Sequence, residues 1–290
     1  MSEQYKAVLI TGCSSGIGRA TALRLSQGDW IVYATARRLD SIEDLAQAGC
    51  RTLQLDVTDE ASMQRAVARI EADCGAVSAL VNNAGYSQSG TIEETSIELI
   101  RRQFETNVFG LARLTQLVLP GMRRSRYGKI IHLGSMGGKL TFPGGGYYHA
   151  TKHALEAFSD ALRFEVSGFG IDVVLVQPGL IRTEFAEAAV AGVPKQHSDS
   201  PYLALMAKVK QATKDSYTKG VLSKLGGSSD DVARTIEKAL LADKPKTRYP
   251  ITVSARIFLW LHTLLGDRGW DSFLARHYPR PGQTGEAGKE

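Results

Sequence analysis

The sequence predicts an α/β fold, a doubly wound parallel sheet forming a single domain, and three observations carry that prediction. Short β-branched runs alternate with helical patterns from the start of the chain, the mark of βαβ units. Glycine-rich and polar motifs fall just after those runs, where an open α/β sheet places its ligand. No Pro/Gly/Ser-rich or like-charge linker divides the 290 residues, so one domain is expected.

Strands are expected at Ala7–Ile10, Ile31–Thr35, Thr52–Leu55, Ala79–Val81, Lys129–Leu133, Val173–Val176 and Tyr249–Val253. Between them lie helical stretches with apolar residues three and four apart, such as Met63, Val67, Ile70 and Cys74 behind a cap position at Asp59. A long helix is expected to run toward Arg124, and Arg123, Arg124 and Arg126 at its end complement the helix dipole. Residues 183–229 have few strand signals and are read as an irregular stretch that forms a mobile lid or insertion, expected to be a helical substrate lid. The apolar run Ile257–Leu265 is helical in pattern, and the tail after Pro279 is read as disordered.

Composition narrows the function classes. With 43% hydrophobic residues the chain can bury a sizeable core. Its formal charge of +5 suits an anionic ligand but is too dispersed for a nucleic-acid surface. Cys13, Cys50 and Cys74 lack metal-ligand spacing and are odd in number, so neither zinc nor a disulfide framework is expected, and reduced thiols imply a cytoplasmic setting. No signal-peptide pattern opens the sequence, and Ile257–Leu265 is well short of the roughly 20 apolar residues of a membrane span.

Thr11-Gly12-Cys13-Ser14-Ser15-Gly16-Ile17-Gly18 leads from a strand into a helix. Its glycines allow a sharp turn that brings backbone N–H groups against a pyrophosphate, although a purely architectural turn uses the same residues. After the second strand come Arg37 and Arg38, with no acid until Asp40. Arginine there fits a ribose 2′-phosphate, and a solvated strand end is the plainer alternative. Tyr148 and Lys152 form a Tyr-x-x-x-Lys pair on one helix face. A free phenol, with a pKa of about 10, needs a neighbouring cation to act as a base near neutrality, and that spacing can provide one. Tyr147 lacks a lysine four positions on and is read as a packing or pocket residue.

Taken together, these motifs resemble the short-chain dehydrogenase/reductase family over roughly residues 5–255. Within it, Thr-Gly-Cys-Ser-Ser-Gly-Ile-Gly, Val-Tyr-Ala-Thr-Ala-Arg and Gly-Ser-Met-Gly-Gly are most similar to the branch of estradiol 17β-dehydrogenase type 1 and retinol dehydrogenases. The resemblance implies a Rossmann-fold catalytic domain over residues 1–255, including a substrate loop at 183–229. Residues 256–290 are then a helical extension with a flexible tail. It also implies an NADP(H)-dependent oxidoreductase acting on secondary alcohols and ketones.

The catalytic residues implied are Ser135, Tyr148, Lys152 and Asn107. Ser135 lies thirteen positions before Tyr148 and would hold the substrate oxygen, and Asn107 would bind a water linked to the lysine. The cofactor residues implied are Gly12, Ser14, Ser15, Gly16, Ile17, Gly18, Arg37, Asp56, Val57, Asn83, Ala84, Gly85, Tyr148, Lys152, Pro178, Gly179, Ile181 and Thr183. Asp56 would face the adenine, though a carboxylate capping the next helix would look alike.

Leu140, Phe142, Pro143, Phe185, Tyr202 and Met206 point to a bulky apolar substrate: a steroid, retinoid or aryl ketone. The helix 257–265 is expected to be buried against the protein, with partner or membrane contact as alternatives. Homodimers or homotetramers are usual in such a family. A non-catalytic NADP-binding regulator is the rival reading, and the presence of Ser135, Tyr148 and Lys152 weighs against it. A sugar-nucleotide epimerase would use a GxxGxxG loop and a longer substrate domain.

Overall fold

The computed structural model describes residues 6–182, 198–218 and 225–282. Seven parallel strands form one sheet: β1 (Ala7–Ile10), β2 (Ile31–Ala36), β3 (Arg51–Gln54), β4 (Ala79–Asn82), β5 (Gly128–Leu133), β6 (Ile171–Gln177) and β9 (Arg248–Pro250). They lie in the order β3-β2-β1-β4-β5-β6-β9, so the winding direction reverses between β1 and β4. A short parallel pair, β7 (Ile181–Arg182) and β8 (Gly227–Ser228), stands apart from the sheet.

Both faces are covered, which is why the central strands are apolar without alternation. Val8, Ile10, Val32, Ile131 and Val174 pack on one side, joined by residues of α1 (Gly16–Leu25) and α8 (Ser229–Leu241) such as Leu25 and Ile236. On the other side Leu9, Tyr33, Leu80, Ile130 and Val173 meet α3 (Glu60–Cys74), α5 (Leu111–Ser125) and α6 (Gly146–Val166) through Ile70, Leu114 and Leu162. Successive residues of β1 thus enter opposite cores, as the period of two requires. Asp59 caps α3 as expected, accepting from the backbone N–H groups of Ala61 and Ser62 at 2.9 and 3.3 Å. Arg126 adopts a left-handed conformation after α5, and Arg124 pairs with Glu71 at 3.2 Å.

Two expectations are corrected. The last strand does not reach Val253: it stops at Pro250, because Thr252 accepts from Ala255 N at 3.1 Å and caps α9 (Val253–Ala275). The C-terminal helix therefore begins three residues before position 256. The lid segment, by contrast, is helical where it is described, as expected: it contains α7 (Leu203–Thr218), whose Met206 and Val209 are buried. Residues 183–197 and 219–224 of that segment, and with them Thr183 and Phe185, lie outside the described residues. The run Ile257–Leu265 is helical, but its burial is incomplete, since Ile257, Trp260, Leu264 and Leu265 are exposed.

Candidate active site

A cavity of about 1500 Å³ opens beyond the carboxyl ends of β1, β4, β5 and β6. Pockets for one small molecule usually measure about 300–1,000 Å³, so this one has room for a dinucleotide together with a substrate. Gly12, Ser14, Ser15, Gly16, Ile17, Arg37, Asp56, Val57, Asn83, Ala84 and Gly85 line one end. Ser135, Tyr148, Lys152, Pro178, Gly179 and Ile181 line it further along. Of the remaining predicted residues, Gly18 and Asn107 stand behind the wall rather than in it.

The glycine loop fits a phosphate cradle. Gly12 (φ +72°) and Gly16 (φ +56°) occupy the region that disfavours side chains. A Cβ on Gly18 would sit 2.4 Å from the Gly12 carbonyl oxygen, so the helix start and the turn touch backbone to backbone. Asn83 Nδ2 donates to the carbonyls of Thr11 and Gly12 at 2.8 and 3.1 Å, and Thr11 Oγ1 accepts from the N–H groups of Asn83 and Ala84 at 3.0 and 2.9 Å. These bonds tie the ends of β1 and β4 together at the switch point. Ser15 precedes α1 without a side-chain cap bond, and Ser15, Gly16 and Ile17 line the cavity, so the first helical N–H groups carry no side-chain cap there.

Arg37 also lines the cavity and makes no ion pair among the described residues, whereas Arg38 lies against Asp40 at 3.5 Å and does not line it. Asp56 Oδ1 accepts from Thr58 N and Thr58 Oγ1 at 2.9 and 2.8 Å, a local turn, and leaves the helix cap to Asp59.

The Tyr148 and Ser135 side chains lie beside each other in the cavity wall. Burial raises the phenol's pKa, the neighbouring Ser135 hydroxyl opposes that rise, and Tyr217 from α7 adds to it. Ser135 itself follows β5, and its Oγ accepts from Gly137 N at 3.0 Å, which starts the tight turn Met136–Gly138. Lys152 is 8% exposed and donates from Nζ to the Leu133 carbonyl at 2.7 Å. Burial alone lowers its ammonium to about 8. Its nitrogen lies 5.7 Å from the centre of the Tyr148 ring, over the π-face. The spacing argument thus places the amine beside the tyrosine, but its direct hydrogen bond goes to the backbone.

Asn107 sits in a π-helical segment, Glu105–Gly110, between α4 (Ile97–Phe104) and α5, a local defect often found at functional sites. Its Nδ2 donates to Tyr86 O at 2.9 Å and Thr151 Oγ1 at 3.1 Å, and its Oδ1 accepts from Tyr86 N at 3.1 Å. It holds the segment after β4 against the helix that carries Lys152, and its side chain makes no direct bond to the lysine.

The sequence reading missed several residues of the cavity. Tyr86 lines it with a buried hydroxyl that has no hydrogen-bond partner among the described residues. His149, next to Tyr148, also lines it. Burial first and His153 second lower its ring to about 4. Lys208, Val209, Ala212 and Tyr217 enter from α7, and Phe258, Phe273 and Tyr278 from the C-terminal element. Helical spacing through Leu203, Met206, Val209, Thr213 and Tyr217 was the signal available for α7. Of the predicted apolar residues, Phe142 and Pro143 line the cavity. Leu140, Tyr202 and Met206 do not: Leu140 and Met206 pack into the interior, and the Tyr202 hydroxyl bonds Glu93. Tyr147 also stays outside, donating to Ile92 O at 2.9 Å.

Comparison with known proteins agrees with this architecture. The family model for short chain dehydrogenase matches residues 6–193. NADPH-dependent 3-dehydrocapnine reductase of Ornithobacterium rhinotracheale is 34% identical over 276 residues, covering 92% of this chain and 95% of that protein. The 3-ketodihydrosphingosine reductase of Bacteroides thetaiotaomicron is 40% identical over 201 residues, covering 68% and 73%. Among solved structures, a short-chain dehydrogenase from Streptomyces avermitilis superposes with a TM-score of 0.78 at 36% identity, covering 94% of this chain and 95% of that one. A serine dehydrogenase complexed with NADP+ gives 0.73 at 28%, covering 85% and 94%. With its seven-stranded sheet, its glycine loop at the switch point and these matches, the chain belongs to the short-chain dehydrogenase family, oxidoreductases that use nicotinamide cofactors.

Proposed function

We propose that this protein is an NADP(H)-dependent oxidoreductase that interconverts secondary alcohols and ketones, with Tyr148 as the acid/base. The observation that carries the reading is the convergence of Ser135, Tyr148 and buried Lys152 in the wall of the large cavity, with the Lys152 nitrogen 5.7 Å from the centre of the Tyr148 ring. When bound, the nicotinamide cofactor supplies or accepts the hydride. Tyr148 gives its hydroxyl proton to the ketone oxygen during reduction and takes it back from the alcohol during oxidation. Its raised pKa keeps the phenol protonated near neutrality, the form that reduction requires. Ser135 holds the same substrate oxygen by hydrogen bonding. Lys152, with an ammonium lowered to about 8, can release and regain a proton near physiological pH. Asn107 is a positioning residue, fixing Tyr86 and Thr151 around the lysine's helix.

The glycine loop and the residues of the β4 end would hold the pyrophosphate and the adjoining sugar, and Arg37 the 2′-phosphate. The names of two relatives support NADP(H) here: one is called NADPH-dependent, and the other is a structure complexed with NADP+. Thr183, outside the described residues, is retained as a cofactor contact. In this reading residues 1–255 carry the chemistry and the helical extension closes the cavity. The molecule works as a cytoplasmic homodimer or homotetramer.

The substrate is a bulky apolar ketone or alcohol. Phe142, Pro143, Val209 and Phe258 supply an apolar lining. The likeness to the estradiol and retinol dehydrogenase branch keeps steroids and retinoids in view. The relatives named for 3-ketodihydrosphingosine and 3-dehydrocapnine direct attention to lipid ketones as well.

The test is NADPH consumption with steroids, retinoids, aryl ketones, 3-ketodihydrosphingosine and small diketones, repeated with NADH and with Arg37→Ala. A hydrogen-bonded charged contact contributes about 1.5–3 kcal/mol, so Arg37→Ala should weaken NADPH about tenfold to a hundredfold and leave NADH unchanged. Equal use of both cofactors by the parent enzyme would refute the NADP assignment. Preference for small polar ketones would refute the substrate class.

A further inference from the structure

Helix α9 presents a continuous apolar stripe to solvent. Val253, Ile257, Trp260 and Leu264 follow one another at spacings of four, three and four residues, which places them on one helix face, and they are 53%, 46%, 65% and 64% exposed. Scattered apolar residues on a surface need no explanation, but a row of four large ones does. The helix breaks at Gly266 (φ 60°, ψ −178°), and Phe258 before the break and Phe273 and Tyr278 after it line the cavity. Whatever covers the stripe therefore lies beside the cavity wall.

Charge selects among the possible occupants. The arm Val253–Leu265, which carries the stripe, has one arginine, Arg256, and no acidic residue; of the arginines beyond the break at Gly266, Arg276 lines the cavity. Arg256 is exposed on the same face as the stripe. A second copy would bring like charges together, whereas an anionic lipid surface would complement them. The arm Val253–Leu265, about 20 Å long, is too short to span a bilayer, and no helix among the described residues is long and apolar enough to do so. Trp260, with an apolar body and a polar N–H, suits the boundary between headgroups and acyl chains.

We propose that α9 lies flat on an anionic membrane surface with the stripe Val253, Ile257, Trp260 and Leu264 in the headgroup boundary, so that an apolar substrate reaches the cavity from the lipid. The docking stands on the stripe and its charge. Only the route of the substrate rests on the catalytic reading above.

The test is sedimentation of the full chain with vesicles of equal parts phosphatidylcholine and phosphatidylglycerol, and with phosphatidylcholine alone. The protein should bind the mixed vesicles and lose affinity as salt is raised, by about fivefold for each arginine held at the surface. Each buried large side chain contributes about tenfold or more, so Ile257→Glu combined with Leu264→Glu should abolish binding. Emission of vesicle-bound protein should shift to the blue, and Trp260→Phe should remove the shift, since Trp30 and Trp270 are already buried. Turnover of a water-soluble ketone by the double variant should match the parent. That comparison, together with an unchanged circular-dichroism melt, separates failure of docking from failure of the catalytic reading. The proposal is overturned if the parent does not sediment, if phosphatidylcholine alone binds it equally well, or if the double variant binds undiminished. Conversion of a dimer to a monomer by the double variant, with vesicle binding unchanged, would overturn it in favour of a second copy.

Discussion

Replacing Lys152 by methionine tests whether the site is as dry as the structure implies. Lys152 is 8% exposed, and burial lowers its ammonium from 10.5 to about 8. Below about pH 8 the amine is charged in both the folded and unfolded chain, and the buried charge weighs against folding. Between about pH 8 and 10.5 the folded chain releases the proton first, so the unfolded chain binds more protons and stability rises with pH. At about 1.4 kcal/mol per pH unit the full effect is ~3 kcal/mol, of which ~2 kcal/mol is expressed by about pH 9.5. The Lys152→Met variant lacks this titration. Loss of the 2.7 Å bond to Leu133 offsets part of its gain at pH 7, but that loss does not titrate. Urea unfolding of both proteins from about pH 7 to 9.5 should therefore show the parent gaining ~2 kcal/mol relative to the variant. A difference constant to within ~0.5 kcal/mol would refute the reasoning and mean that solvent reaches the amine.

Gly18→Ala places a Cβ 2.4 Å from the Gly12 carbonyl oxygen. Backbone must shift, so NADPH affinity should fall more than tenfold with a stability loss of ~1–3 kcal/mol, and an unchanged fluorescence titration would exclude the cradle. His132 is fully buried, with Nδ1 2.9 Å from Ser159 Oγ, and its ring is lowered to about 3 by burial and then by the Lys152 charge. The neutral ring's contribution is complete above the ordinary pKa of 6.5 and is lost as pH falls from there toward about 3. His132→Asn should therefore show a shallower acid limb in urea unfolding below about pH 6, and limbs of equal slope would contradict the burial argument.

The central sheet was legible because strands covered on both faces read as unbroken β-branched runs, and the ligand motifs were legible because they sit at strand ends. The reading failed where two local rules compete. Ile251-Thr252-Val253 is β-branched throughout and reads as strand, yet Thr252 is also a good helix cap, and α9 packing against Phe142 decides in favour of the cap. The lid was expected to be helical, but the bounds of α7 were not legible, because Lys208, Lys210 and Lys214 obscure an apolar period that becomes evident only when Met206 and Val209 are seen buried. Tyr148, Lys152 and Ser135 could be chosen by spacing and company, but the partners of Asn107 and the approach of Tyr217 depend on which helices meet, and spacing does not encode that.

The measurement closest to the central claim compares Tyr148→Phe with the parent for NADPH binding and for ketone turnover. The variant removes the hydroxyl next to Ser135 and leaves the ring over which Lys152 lies. NADPH should still bind, with at most the loss of the one contact the Tyr148 hydroxyl makes to it, while turnover in either direction at saturating cofactor falls about a thousandfold, the scale of a lost general acid/base. Turnover within a few-fold of the parent, with cofactor binding intact, would contradict the assignment of Tyr148 as the residue that moves the proton.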